Sequence, residues 1–544
     1  MTLPGQVELT PRQQQILQLL QAGKVNKEVA RELDIGLGTV KQHIVAIFRK
    51  LNVRNRTAAA FRNMDRQVTD APASLIQSPK ILLSARPCVV LGIALPPNSD
   101  SAMVRQLYGQ MASLSSAHDA IFLTRQGQAG ELIFGVNKVT EYDAALALHL
   151  ASQILETMIG SFPALAGKVR GCLTAGIGFA SMRRYGGWSG EAIASAAISA
   201  ARDLLQITQA GFFTCDQPAR DLCEAFGVSG IPQLGEALPF EALASMQWSG
   251  ERTARPLVGR SQELKVLQAA IKRATLGKGS IVILEGEMGM GKSRICQALH
   301  ELGLARNLKT RFYRRLPNVL GSGLLDVVRG EHHGVDRCIA EVRSQAPQTR
   351  HFVIVDDFHL LEPQEQAAWF EAAIQGRAKG LLTLFAGRKG SGRTTPPDVE
   401  QVRLSRLGVH HMQALIRQAL DMPAGKKRSS IMQTILDTST GVPLFALEMA
   451  RMPDPIKLSL PLMVAVHSRI DKFGLDNSVL RLVASNQGGI AIDRIAELTG
   501  DPLDTLRAQV DRATATGVLT QQVDGMLTFT HPMIRRVIAN SIMD

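Results

Sequence analysis

The sequence predicts a multidomain chain: an all-α segment first, then two α/β segments, then a helical close. Three observations carry that reading. Residues 9–53 read as short amphipathic helices around a glycine turn. From residue 85 onward, apolar strand-like runs alternate with helical patterns. At 280–303 a buried strand runs through a glycine-rich turn into a helix. The chain has 544 residues, room for about three or four domains. A hydrophobic content of 45% supplies cores for them.

In the first segment, Thr10, Pro11 and Gln13 form a helix-start signal, and Ile16, Leu17, Leu19 and Leu20 supply its apolar face. NKEVARELDI (26–35) is a second helix, followed by a turn at Gly36 and Gly38. In the third, GTVKQHIVAIFRKLNV (38–53), the residues Val40, Ile44, Ile47, Phe48 and Leu51 form one buried stripe. Residues 1–64 hold ten Lys/Arg against four acids, within a chain of formal charge +13. That density suits phosphate contact. A glycine turn between two short helices, the second basic on its outer face, is helix-turn-helix grammar. Thr39, Lys41, Gln42 and Val45 stand off the buried stripe where base edges are met; Arg49, Lys50, Arg54, Asn55 and Arg56 are placed for phosphates. The stretch from Leu9 to Arg56 resembles the LuxR-type DNA-binding domain nearly end to end, which implies double-stranded DNA as a partner. Residues 1–65 are assigned to it and 66–84 to a linker.

Residues 85–235 alternate strands (PCVVLGIALPP, IFLTRQGQAGELIFGV, KVRGCLTAGIGFA) with helices, the pattern of an α/β sandwich. The hydrophobic framework resembles the class III nucleotidyl cyclase domain. In that family two aspartates hold two metal ions. Here the first falls on Ala94 and the second on Gln128, the substrate-contacting asparagine falls on Ile198, and Arg202 alone is kept. The expectation is a domain that has lost cyclase chemistry and serves dimerisation or ligand sensing, open to an inducer or regulatory protein.

After a linker at 236–255, GEMGMGKS (286–293) fits the phosphate-binding loop pattern within a P-loop domain set at 256–400. Gly286, Gly289 and Gly291 let backbone N–H groups face phosphates, Lys292 reaches their oxygens and Ser293 binds Mg²⁺. RHFVIVDDFHLLEP (350–363) is a second strand ending in Asp356, a metal-holding acid, and Asp357, which orients the attacking water. LLTLFAGRKG (381–390) is the next strand, and its Arg388 is a candidate γ-phosphate sensor. With PLVGRSQELKVLQAAI, GVPLFALEMAR and FTHPMIRRVIANSIM, residues 256–544 resemble the STAND branch of AAA+-like ATPases. That resemblance implies a turn of Val258, Gly259 and Arg260 over adenine and a helical lid (401–455) touching the nucleotide through Gly441 and Pro443. It also implies a winged helix (456–544) whose His531 reaches the β-phosphate. The cofactors implied are ATP or ADP with Mg²⁺. Relatives of this kind commonly carry a further repeat array, for which this sequence has no counterpart.

Six scattered cysteines without a CxxC pair read as reduced cytoplasmic thiols, and no stretch reads as a membrane span or signal sequence. The function expected is an ATP-dependent regulator whose nucleotide state controls homo-oligomerisation and cooperative DNA binding. A nucleotidyl cyclase and an ATP-driven remodelling machine are the alternatives. Ala94 and Gln128 speak against the cyclase. Asp357, where processive motors usually carry glutamate, speaks for slow hydrolysis used as a switch.

Overall fold

The computed structural model describes residues 82–541 apart from 126–127, 185–186, 226–235, 246–256, 288, 316–322, 328–330, 345–349, 389–398, 421–424 and 453–457. In the N-terminal part it describes Arg12, Gln13, Gln15, Ile16, Leu33, Ile35, Gly36, Thr39, Val40 and His43. The chain falls into two units, Met1–Ser78 and Pro79–Asp544. In the first, Arg12, Gln13, Gln15 and Ile16 are helical, as are Thr39, Val40 and His43. Ile16 and Val40 are fully buried, Thr39 is exposed and His43 is half-buried. The Arg12 guanidinium donates to the Leu33 carbonyl at 2.6 Å, and Val40 N–H donates to Gly36 O at 3.1 Å. Gly36 therefore lies just ahead of the helical residues Thr39, Val40 and His43. Lys41, Gln42, Val45, Arg49, Lys50, Arg54, Asn55 and Arg56 lie outside the described residues.

The second unit opens with a mixed sheet in the order β2-β3-β1-β4-β6-β7, with β5 paired to β4. Its strands are β1 (Leu82–Ala94), β2 (Ile121–Arg125), β3 (Ala129–Phe134), β4 (Arg170–Met182), β5 (Ala194–Ser195), β6 (Phe212–Cys215) and β7 (Leu238–Pro239). The helices are α1 (Ser101–Ala117), α2 (Asp143–Ser161), α3 (Ala196–Ile207) and α4 (Gln217–Ala225). The long antiparallel pair β1–β4 forms its spine and β4–β6 is parallel. Two stretches read as linker are built into this sheet. The strand begins at Leu82, and Leu238–Pro239 pairs with β6 while Phe240 packs on Phe213 with ring centroids 5.2 Å apart. Alternation is weak in both stretches, so periodicity alone passes over them.

The second sheet runs β11-β10-β9-β12-β13-β8-β14. Strands β8 (Ser280–Glu285), β9 (Lys309–Arg315), β12 (His351–Asp356), β13 (Leu382–Gly387) and β14 (Val399–Arg403) are parallel; β10 (Gly323–Asp326) and β11 (Glu331–Gly334) add an antiparallel edge. Strand β12 is apolar from Phe352 to Val355 because it is covered on both faces, as parallel strands are. Helices α5 (Ser261–Thr275), α6 (Lys292–Ala305), α7 (Val335–Arg343) and α8 (Pro363–Arg377) cover it.

A helical group, α9 (Val409–Ala419), α10 (Lys426–Ser439) and α11 (Pro443–Arg451), follows. The chain closes with α12 (Leu460–Phe473), α13 (Asn477–Ser485), α14 (Ile492–Thr499), α15 (Leu503–Ala515), a hairpin of β15 (Leu519–Gln521) and β16 (Leu527–Phe529), and α16 (Pro532–Ser541). One apolar core is continuous from Leu284, Ile354 and Leu384 of the sheet through Met412 and Phe445 to Leu462, Val479 and Ile538. A second core, under the first sheet, takes in Val464 of α12 and Leu325 of β10. The parts therefore share buried surface, and a shift of α12 is felt in both.

Candidate functional site at the end of the parallel sheet

The sheet's strand ends bring the glycine loop and the two acids to one edge, where ligands bind in open α/β sheets. Gly289 and Gly291 have φ of 77° and 90°, conformations that cost side-chain-bearing residues about 1–2 kcal/mol. They turn the chain so that α6 starts at Lys292 with its free N–H groups at the loop, a ready anion site. Lys292 is 8% exposed, and its ammonium donates to Gly286 O and Glu287 O at 2.9 Å each.

Asp356, fully buried at the end of β12, binds three neighbours. The Ser293 side chain hydrogen-bonds its carboxylate, the Asp357 N–H donates to it at 2.9 Å, and Arg314 of β9 donates at 3.2 Å. Burial pushes its carboxyl up, as does Asp357, while Arg314 and Ser293 oppose them. Asp357 itself is left-handed at φ 54°, a sparsely populated conformation for a residue with a side chain. Arg314 was not singled out in the sequence. Its signal, an arginine pair ending the strand RFYRR, is weak without the neighbouring strand.

Cations crowd the same edge. Burial pulls Lys292 down, and Arg388, half-buried just past β13, adds to that. Desolvation and Arg388 bring Lys472 of α12 down to about 8. The same pair of causes brings Arg469 down to about 10. His359 is brought down to about 2 by burial and then by Arg388, Lys472 and Lys292, so its ring is neutral. These cations repel one another, and Asp356, Asp357 and Glu141 offset them only in part. Lys472 and Arg469 also escaped the sequence reading, since they arrive from a helix over a hundred residues downstream of Asp357.

Other residues proposed from sequence lie around the loop. Leu444 N–H, one residue past Pro443, donates to Gly289 O at 3.2 Å, while Gly441 O accepts from Leu407 N at 2.9 Å. Gly259 packs on the His411 ring beside the half-buried Val258. Arg260, 3% exposed, donates to Met290 O at 3.1 Å, to Ser405 O at 2.8 Å and to Glu263 at 3.1 Å. It therefore braces the glycine loop from behind. His531 is buried, with Nε2 2.6 Å from Thr440 Oγ1 and 3.0 Å from Ser439 O, while Nδ1 accepts from Met533 N–H at 3.0 Å. Both ring nitrogens are engaged within the protein, so a phosphate contact from Nε2 requires giving up Thr440 and Ser439.

In the first sheet, Ala94 is buried opposite Ala129, and the Gln128 amide donates to Ser99 O at 2.9 Å. Ile198 is buried in α3, and Arg202 reaches Glu131 at 3.9 Å. Among the described residues no group of three or more His, Cys, Asp or Glu could hold a metal ion. No helix among them is long and apolar enough to cross a membrane. All six cysteines are buried and free.

Residues 7–62 match the family model described as bacterial regulatory proteins, luxR family, and residues 256–319 match the AAA ATPase domain. The chain therefore carries a LuxR-type helix-turn-helix segment and an AAA ATPase segment. It is 44% identical over 72 residues to the putative HTH-type transcriptional regulator YhjB of Escherichia coli, covering 11% of this chain and 36% of that protein. It is 23% identical over 235 residues to the uncharacterized protein R02095 of Rhizobium meliloti, covering 40% of this chain and 22% of that one. The chain thus spans little more than a third of these relatives at most. Among solved structures it is similar to a Walker-type ATPase of Pyrococcus abyssi (12% identity, TM-score 0.34, covering 53% of this chain and 99% of that one). It is also similar to the adenylyl cyclase CyaB of P. aeruginosa (10% identity, TM-score 0.22, covering 28% of this chain and 92% of that one). At these scores the fold reading stands on the strand topology itself.

Proposed function

We propose that this protein is a STAND-type transcription regulator that binds double-stranded DNA through residues 1–65. ATP or ADP at the glycine loop sets its self-association. The observation that carries the nucleotide reading is the convergence of the glycine loop, the hydrogen-bonded Ser293–Asp356 pair and four cations at one sheet edge. A polyphosphate supplies negative charge beyond what the neighbouring carboxylates give these cations. Ser293 and Asp356 offer the oxygen donors Mg²⁺ takes, so the residues present fit that ion. Held by Ser293 and Asp356, Mg²⁺ would supply charge neutralisation to a bound polyphosphate. Lys292 binds those oxygens after releasing Gly286 and Glu287, and Asp357 orients water. Arg388 and Lys472 face the terminal phosphate. Gly441 and Pro443 close the lid on the loop, and Val258 and Gly259 border the base.

The first sheet domain is a cyclase homologue without cyclase chemistry, since neither Ala94 nor Gln128 offers a carboxylate. It is the place where an inducer or second protein acts. Several DNA-reading segments on one oligomer gain roughly 10²–10⁴ in apparent affinity over one, the help a small basic module requires at physiological salt. Calorimetric titration of the full chain with ADP and with a slowly hydrolysed ATP analogue, alongside Lys292→Ala, tests the pocket. Binding of both nucleotides by the wild type and neither by the variant is the expected result. Equal binding by both proteins would place the nucleotide elsewhere.

A further inference from the structure

The first sheet domain reaches into the edge where the glycine loop and acids meet. Its segment between β3 and α2 crosses to that edge and is held there by one buried charge cluster. Arg86 of β1, 1% exposed, pairs with Asp471 of α12, whose side chain is 5% exposed. The same Asp471 oxygen accepts the Val139 N–H at 2.7 Å. Farther out, Arg184 donates to Asp476 at 2.9 Å and to Asp501 at 2.8 Å, and its carbonyl accepts from Asn477 N–H at 3.1 Å. Breaking the buried Arg86–Asp471 pair leaves an uncompensated charge. The segment and α12 therefore move together.

Two side chains on this segment meet the site. The Tyr142 hydroxyl stands 3.5 Å from Asp357 Oδ2, at the outer limit of a hydrogen bond. Glu141, half-buried and the residue before Tyr142, adds to the larger effect of Asp357 in favouring the charged forms of Lys292 and Lys472. It is thus a carboxylate stationed among the cations that a terminal phosphate requires. Asp471, which fastens the segment, is the neighbour of Lys472 on the same helix. Its bond to Val139 N–H ties the segment to the helix that carries two of the cations.

We propose that Glu141 and Tyr142 form a sensor for the terminal phosphate, contributed to the nucleotide site by the first sheet domain. This rests on the nucleotide-switch reading above. With a diphosphate bound, Glu141 balances Lys292 and Lys472 and the two domains stay clasped. With a triphosphate, Glu141 faces a like charge, gives up Lys292, and draws Tyr142 off Asp357. The strain passes through Val139 and Asp471 to α12. A ligand shifts such an equilibrium only through its differential affinity for the two states, and Glu141 supplies that difference.

The test is calorimetric, on the full chain with Mg²⁺, comparing ADP with a slowly hydrolysed ATP analogue in wild type, Glu141→Gln and Tyr142→Phe. Glu141→Gln removes the like charge, so affinity for the analogue relative to ADP rises about tenfold, within the usual range of coupling between sites. Hydrogen exchange supplies a second readout. In the wild type, amides at 137–142 and 469–477 exchange faster with the analogue than with ADP, and in Glu141→Gln that difference shrinks. Tyr142→Phe, the milder change, narrows it in part while keeping the fold. An unchanged affinity ratio in Glu141→Gln with identical exchange in both nucleotides overturns the sensor alone. Failure of the wild type to bind either nucleotide removes the sensor together with the function it rests on.

Discussion

Asp143, the first residue of α2, lies beside the segment that meets the nucleotide site, and its carboxyl is held away from water. It accepts from Thr140 N–H at 3.0 Å and from the Thr140 hydroxyl, yet burial pushes it up from 3.8 to about 7, with Asp471 adding to the rise. The folded chain therefore holds this proton more tightly than the unfolded chain does. Stability contributed here is greatest below the ordinary carboxylate value, falls as pH rises towards about 7, and is level above it. A displacement of that size corresponds to roughly 4 kcal/mol as an upper bound. Urea denaturation between pH 4 and 8 is expected to show this slope in the wild type and to lose it in Asp143→Asn. A slope that survives the substitution would assign it to other groups.

The elements around the site divide according to how local their information is. The glycine loop was legible because strand, loop and helix are contiguous, and Asp356 because four apolar residues precede it. Arg314, Lys472, Glu141 and Tyr142 were not, since β9, α12 and the first sheet domain bring them to the edge by tertiary packing. Residue type alone does not distinguish them from surface charges. The start of the first strand, Leu82–Ser84, and the Leu238–Pro239 pairing were missed for a related reason: short or two-face-buried strands leave little alternation to read. Within the loop, the two left-handed glycines separate strain from collision. A Cβ on Gly291 meets nothing within 4 Å, whereas one on Gly289 comes to 2.8 Å from Leu444 Cβ. Gly291→Ala is expected to cost about 1–2 kcal/mol from its backbone alone. Gly289→Ala costs more and also pushes α11 off the loop. Chemical denaturation compared across the two variants checks the order, and equal costs would show that Leu444 yields freely.

At the scale of the whole molecule, the second unit is joined by shared cores and by buried charge pairs that run between its parts. The first core passes from the parallel sheet into α9, α11 and the closing helices. The second passes from the first sheet into α12. Helix α12 lies on both routes and also carries Arg469, Asp471 and Lys472. A change at the phosphate site thus has one mechanical path to the first sheet domain and another to the closing helices. This is the arrangement expected of a switch, in which the energy of binding is directed into a change of packing.

The measurement that tests this most directly is the solution mass of the full-length protein by light scattering, in ADP and then in a slowly hydrolysed ATP analogue, with Lys292→Ala beside it. The account predicts a rise in mass with the analogue alone, absent from the variant. A mass that is the same in both nucleotides, in protein shown to bind them, would contradict control of assembly by the nucleotide.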